Sequence, residues 1–405
     1  MKGACEDRKF HSMSYPPIMK ASFLLSPVVS LSFFSGSLQA AGGFYGDPPD
    51  ATHPWTVHDL NRPQPVRVEP GTYSSEEKPG LPPSDAIVLF DGSAEAINQW
   101  QADKNPAEPT KWIVKEGSLQ CVPGSGYVRT KEEFGDCQLH IEWSAPSEVK
   151  GDSQGRGNSG VFLMGQVEVQ VLDNYNNPTY ADGAAGSVYG VNPPMANALR
   201  KPGAWQVYDI VFRRPIFKDG KMLDAGYLTV FCNGVLLQDH TPLQGGGGHK
   251  SRTKDRAFPE IGPLKLQDHG NPVRYRNIWY RPLPKRAGEG GDVSVMGPEA
   301  TLAKRSAIAK EIQEKAASLR GREKLLHQLE SLCYAIDEAV LKEVTLATDA
   351  LAAEWKATGK LEPKKGEVMQ LNAALQYLSK FKIVELPAAR VLNDLVKANE
   401  WDKKK

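Results

Sequence analysis

Gly157-Asn158-Ser159-Gly160-Val161-Phe162-Leu163-Met164-Gly165, followed after one residue by Val167-Glu168-Val169-Gln170-Val171-Leu172-Asp173, is the stretch on which the fold turns. Its second half alternates strictly. As a β-strand it sends Val167, Val169 and Val171 into a core and Glu168, Gln170 and Leu172 to the opposite face. A carboxylate and an amide on one strand face suit a polar ligand, and an edge strand with a solvated face gives the same pattern. Gly157 to Gly160 reads as a turn that brings backbone close to that polar face.

The same rhythm of short alternating segments, broken by Gly, Pro, Asn and Asp, runs from Asp85 to about Leu283. It includes Ile87–Phe90, Trp112–Lys115, Ser118–Val122, Gly126–Thr130 and Asp136–Trp143. After the opening stretch come Gly186–Tyr189, Trp205–Arg213, Gly226–Cys232, Val235–Asp239, Gly262–Gln267 and Val273–Tyr280. Such spacing predicts a mainly β protein, a sandwich or barrel. Asn233-Gly234 marks a hairpin tip. The connection Leu243–Pro259 holds four consecutive glycines (Gly245 to Gly248), which cannot sustain a strand, and its length suggests a flap over a cleft.

Beyond Glu299 the period changes. Ile308, Ile312, Ala316 and Leu319 share a helical face, as do Leu325, Leu329, Leu332, Cys333 and Ile336. Gly321 separates those two helices, Gly359 ends a third, and Pro363 and Pro387 punctuate the rest. A small α-helical domain is expected over residues 296–405. Residues 41–84, rich in Pro and Gly, read as an extended arm.

The N-terminus reads as a leader. Lys20 precedes an apolar run from Ala21 to Phe34 and a small-residue exit ending at Ala40, so residues 1–40 are expected to be a signal peptide. The polar tract before it suggests that translation begins at Met19. The apolar run falls short of the ~20 residues of a membrane span. The expected product is an exported protein, periplasmic or secreted, with no membrane span. A formal net charge of +1 gives no field that would draw nucleic acid. Cys121, Cys137, Cys232 and Cys333 show no metal-type spacing; Cys121 and Cys137 could pair, and four separate buried thiols fit equally. Oligomeric state is left open.

Six phrases in order carry a resemblance: Ile87-Val88-Leu89-Phe90-Asp91-Gly92 with Trp100 and Trp112; Glu142-Trp143; Gly157 to Val161; Glu168 to Asp173; Asn233-Gly234; and Gly262 to Gly270 with Arg276-Asn277-Ile278. Over residues 85–285 the chain resembles the 3-keto-disaccharide hydrolase family. That resemblance implies a concanavalin A-like two-sheet jelly roll whose concave face binds sugar, and cleavage of glycosides oxidised at C3. A C3 ketone acidifies the C2 proton, so such a site needs a base, a stabiliser for the enolate oxygen and an acid for the leaving group.

Retaining glucanases need two carboxylates about 5–5.5 Å apart. Here Gln170 stands where the second acid would be, and Asp173 has the opposite parity, which disfavours double displacement on this strand. Glu168 is therefore expected as general base or metal ligand with Gln170 orienting substrate; pairing with an arginine is the bland alternative. His269, at a strand end, is an acid, base or ligand candidate, its unperturbed pKa lying near ~6.5. Glu142 is a secondary acid candidate. Arg276 could steady an enolate or simply pair with Glu142 or Glu168. Asn158, Tyr189, Trp205 and Gln267 are candidate sugar contacts. Glu168, His269, Asp173 and Asp268 could together hold a divalent metal, which no spacing demands. A non-catalytic, lectin-like module with a helical docking element is the competing reading.

Overall fold

The computed structural model describes residues 44–243, 245–251, 257–286, 289–291, 293 and 295–403. The expected leader at residues 1–40 lies outside the described residues, as do positions 244 and 252–256 of the glycine-rich connection. In chain order the strands are β1 (Ile87–Phe90), β2 (Trp100–Ala102), β3 (Ile113–Lys115), β4 (Ser118–Gln120) and β5 (Val128–Phe134). Then come β6 (Cys137–Ser144), β7 (Ser159–Leu163), β8 (Val167–Val171), β9 (Gln206–Arg213) and β10 (Ile216–Lys218). β11 (Lys221–Asp224), β12 (Tyr227–Cys232), β13 (Val235–Pro242), β14 (Gly262–Leu266) and β15 (Arg274–Pro282) complete the set.

They form a large sheet in the order β13-β12-β9-β6-β15-β4-β3, with β1 also on β15, and a smaller one in the order β2-β5-β14-β7-β8. β10 and β11 make a separate hairpin. The predicted turn at Asn233-Gly234 has φ of 52° and 82°, the two positive values that a tight hairpin needs. Alternation explains the layers. Leu139, Ile141 and Trp143 of β6, Tyr208 and Ile210 of β9, and Tyr275 of β15 are fully buried. So are Val161 of β7, Val167, Val169 and Val171 of β8, and Leu264 and Leu266 of β14, in the same apolar core. Each such side chain contributes roughly 1.5–3 kcal/mol of transfer free energy. Cys121, Cys137 and Cys232 are buried, free thiols, so Cys121 and Cys137 do not pair; Cys333 is buried as well.

Two readings need correction. Ser159 and Gly160 belong to β7, not to a turn; in the quartet 157–160 only Gly157 has positive φ, at 54°. Gly186–Tyr189 is no full strand: it meets β8 through a bridge from Val188 to Val169, with Gln170 N donating to Ser187 O and Tyr189 N to Glu168 O.

Cα packing divides the chain into residues 46–311 and a second unit of residues 312–403 with residues 44 and 45. The helices are α1 (Pro298–Ala317), α2 (Gly321–Ser331), α3 (Glu338–Ala357), α4 (Lys365–Lys380) and α5 (Ala388–Ala398). The Asp337 carboxylate caps α3, accepting from Ala339 N and Val340 N. Val344, Trp355, Leu371, Leu375, Leu378 and Leu392 form the interior of the helical unit. Leu325, Leu329, Leu332 and Cys333 are buried as the period predicts, whereas Ile336 lies beyond α2 and is exposed. No described helix is long and apolar enough to cross a membrane.

Candidate functional site

Antiparallel pairing of β7 and β8 sets Glu168 opposite Phe162 and Gln170 opposite Gly160. Because the alternate residues of both strands fill the core, these four occupy the outer face of the smaller sheet. Gly160 is needed there. A Cβ at that position would overlap the Glu168 carboxyl and come within 2.8 Å of the Phe162 ring. The bare α-carbon is therefore the floor on which Glu168 rests.

Burial alone pushes the Glu168 carboxyl up to about 8, with no neighbouring charge sharing in the shift. The Gln170 amide lies 3.2 Å from Glu168 Oε1 and 3.1 Å from the Ser159 carbonyl oxygen. Its Nε2 donates to Gln154 Oε1 at 3.0 Å; turned over, the amide donates instead to Glu168 Oε1 and Ser159 O, with its oxygen then toward Gln154 Oε1. Gln154 in turn donates to Thr179 Oγ1 and to Gly183 O, and Asn158 Nδ2 donates to Gln154 O at 2.7 Å. Just past the end of β14, Gln267 Nε2 donates to Tyr127 Oη at 2.7 Å, and Tyr127 packs against Phe162 with ring centroids 5.9 Å apart. Asn158 Oδ1 and Gln267 Oε1 are buried acceptors with no partner among the described residues. A sugar hydroxyl is the kind of donor that would satisfy them.

Tyr189 joins this face through its backbone bond to Glu168. Its hydroxyl is 2.9 Å from Tyr180 Oη and 3.2 Å from His249 Nδ1. Glu168, Gln170, Asn158, Tyr189 and Gln267 are thus gathered around one strand pair. Gln154, Tyr127, Phe162, Tyr180 and His249 belong to the same surroundings without a sequence signal of their own, because loops and cross-strand register bring them in.

The remaining candidates are elsewhere. Glu142 stands opposite Arg276 on β6 and β15 of the large sheet, and Arg276 Nε donates to Glu142 Oε2 at 2.8 Å. The Arg276 guanidinium stacks 4.2 Å from the Trp205 ring centroid. Asn277 Nδ2 and Ser74 Oγ also donate to Glu142 Oε1, at 2.8 and 2.6 Å, and Arg276 Nη2 donates to Ser75 O. His140 bridges Asp209 (2.7 Å) and Glu142 (3.5 Å) under the stacked Trp279 ring. This network occupies the outer face of the other sheet, covered by the arm around Ser74. Arg276 thus pairs with Glu142, the alternative its sequence offered, and Glu142, Arg276 and Trp205 stand away from Glu168: strand parity is the same, but the sheet is not.

His269 is exposed and lines a separate cleft of about 470 Å³ with Lys150, Arg156, Asp173 and Asn271; Glu168 is not among its walls. Asp173 accepts from Arg156 Nε at 2.7 Å, and Asp268 accepts from Gly126 N and Gly270 N. The four suggested metal donors are thus not assembled, and no group of three His, Cys, Asp or Glu side chains suited to a metal occurs among the described residues.

The sequence profile of a family described as a 3-keto-alpha-glucoside-1,2-lyase-like domain matches residues 85–281. A candidate glycosyl hydrolase from Parabacteroides distasonis ATCC 8503, solved at 2.13 Å, is 43% identical, covering 56% of this chain and 95% of its own, with a TM-score of 0.53. A second candidate glycosyl hydrolase from the same organism is 18% identical over 49% of this chain and 94% of its own, with a TM-score of 0.36. A mutant of the alginate lyase Aly36B with bound alginate tetrasaccharide is 9% identical over 49% and 97% of the respective chains, with a TM-score of 0.31. No curated protein matches.

Proposed function

Because the chain belongs, through residues 85–281, to the 3-keto-alpha-glucoside-1,2-lyase-like family of carbohydrate-active proteins, we propose that it cleaves glycosides bearing a ketone at C3. Glu168 in its ionised form takes the C2 proton, leaving an enolate on the C3 oxygen. The electron pair returns through C2, the C1–C2 double bond forms and the C1 substituent leaves. Water adding to C1, with a proton returned to C2, makes the net reaction a hydrolysis.

One observation carries this reading: a single desolvated carboxyl on β8, whose strand neighbour is an amide rather than a second acid. Double displacement needs two carboxylates, whereas proton abstraction needs one base of raised basicity. Gln170 N–H steadies the carboxylate, and Gln267 and Asn158 offer acceptors to sugar hydroxyls. Export belongs to the same reading, supported by the apolar run 21–34 and its small-residue exit.

The test is a matched pair of substrates, a 3-keto-disaccharide and its unoxidised parent. Release of free 3-keto sugar from the first alone, abolished in Glu168→Gln protein, is expected. Equal cleavage of the parent, or undiminished activity in the variant, would overturn the reading. Secretion of the full chain with a new N-terminus at Ala41 checks the export part.

A further inference from the structure

Within the glycine tract Gly245–Gly248, Gly247 answers to the loop it packs against. A Cβ on Gly247 would overlap the Tyr189 carbonyl oxygen, and one on Gly190 would lie 3.0 Å from Gly248 O. Gly245 and Gly246 take φ of 121° and 79°, values that favour glycine. Two backbones thus run in close contact, and the outcome is the placement of His249 against the Tyr189 hydroxyl.

Tyr189 is well situated to use it. Its backbone is bonded to Glu168, and its hydroxyl lies between Tyr180 and His249 in a part of the face open to solvent. Burial, the Tyr180 hydroxyl and the Glu168 charge together raise this phenol above its ordinary value. A phenol so held keeps its proton until a stronger base, such as a departing alkoxide, develops beside it.

Resting on the elimination reading above, we infer that Tyr189 is the acid that protonates the departing glycosidic oxygen, and that His249 is the positioning residue that holds and reloads it. As the C1–O bond breaks, the Tyr189 O–H proton passes to the leaving oxygen. His249 Nδ1–H then returns a proton to the phenolate, and solvent restores the imidazole. Glu168 has gained the C2 proton and gives it up again, to C2 on hydration or to solvent, matching the proton drawn from solvent, so charge and protons balance without any further reactant.

The experiment uses the full chain and two C3-oxidised substrates, a 3-keto-disaccharide with a sugar alcohol as leaving group and a 4-nitrophenyl 3-keto-glucoside. Nitrophenoxide leaves without an acid. Tyr189→Phe should lose about a hundredfold or more in kcat on the disaccharide and only a few-fold on the aryl substrate. In D2O the same variant should still exchange the C2 hydrogen of the disaccharide, since Glu168 is untouched. His249→Gln should show the same selectivity with a smaller loss in kcat and an unchanged KM. Equal losses on both substrates, or loss of C2 exchange together with cleavage, would overturn the acid assignment. Unchanged kcat in the His249 variant would overturn the relay. If the unmodified protein neither exchanges C2 nor cleaves either substrate, it is the elimination reading that fails.

Discussion

The Glu168 carboxyl rests over the bare α-carbon of Gly160, one strand away. That contact holds the carboxylate down on the sheet, where solvent is scarce, and so links a missing methyl group to the basicity of the site. Gly160→Ala keeps a permitted backbone but forces the carboxyl and the Phe162 ring aside. Overpacking of this kind costs about 1–3 kcal/mol, and displacing a reacting group by an ångström can cost about a hundredfold in rate. The expected result is a modest fall in Tm with a much larger fall in kcat, read by thermal denaturation and by release of 3-keto sugar. A variant with full activity would show that the Glu168 position is not critical.

The raised carboxyl gives pH dependence a definite sign. If Glu168 acts as base, kcat/KM rises with pH and levels off above about 8, where the carboxyl is ionised. A profile that falls through the same region would make Glu168 an acid. Stability runs the other way. The folded protein holds this proton more tightly than the unfolded chain, whose ordinary value is 4.5, so stability is lost as pH rises from 4.5 through about 8. Glu168→Gln carries no such cost. Its Tm relative to the parent should therefore be higher at pH 9 than at pH 5, while its activity is absent at both.

The valines at 167, 169 and 171 made β8 readable, since period-two β-branched residues fit little else. Asn233-Gly234 was equally plain. What could not be read was which sheet a strand joins. Glu142 on β6 and Glu168 on β8 have the same local pattern, and only long-range pairing puts them on different sheets. β2, β10 and β11 are too short to show a period. His249 was hidden for a different reason: its place depends on close approach between two glycine-bearing loops, which no spacing rule records.

Gln170 offers a direct test of the single-carboxylate argument. Gln170→Glu would put a second acid on the same strand face as Glu168, and like charges at that range raise each other's pKa. The rising limb of kcat/KM should move to higher pH by about one unit or more, with activity near pH 7 falling accordingly. If the missing second acid is what excludes double displacement, slow cleavage of unoxidised glucosides should appear in this variant. Absence of that activity would mean that the amide alone does not hold back double displacement.

The buried network on the large sheet should behave as structure, not as chemistry. Burial lowers the His140 pKa, but the hydrogen bonds to Asp209 and Glu142 outweigh it and raise the imidazole to about 9. A raised histidine contributes its stabilisation fully below its ordinary 6.5 and loses it as pH climbs through about 9. Thermal stability should fall between pH 7 and 10, and His140→Gln should start lower and fall less. Glu142→Gln leaves Arg276 buried without its counter-charge, a change that typically costs about 3–5 kcal/mol. Both variants should keep kcat within about threefold of the parent where they remain folded, since neither side chain belongs to the Glu168 face. A loss of kcat at unchanged Tm in Glu142→Gln would place the reaction on the face beneath the arm instead.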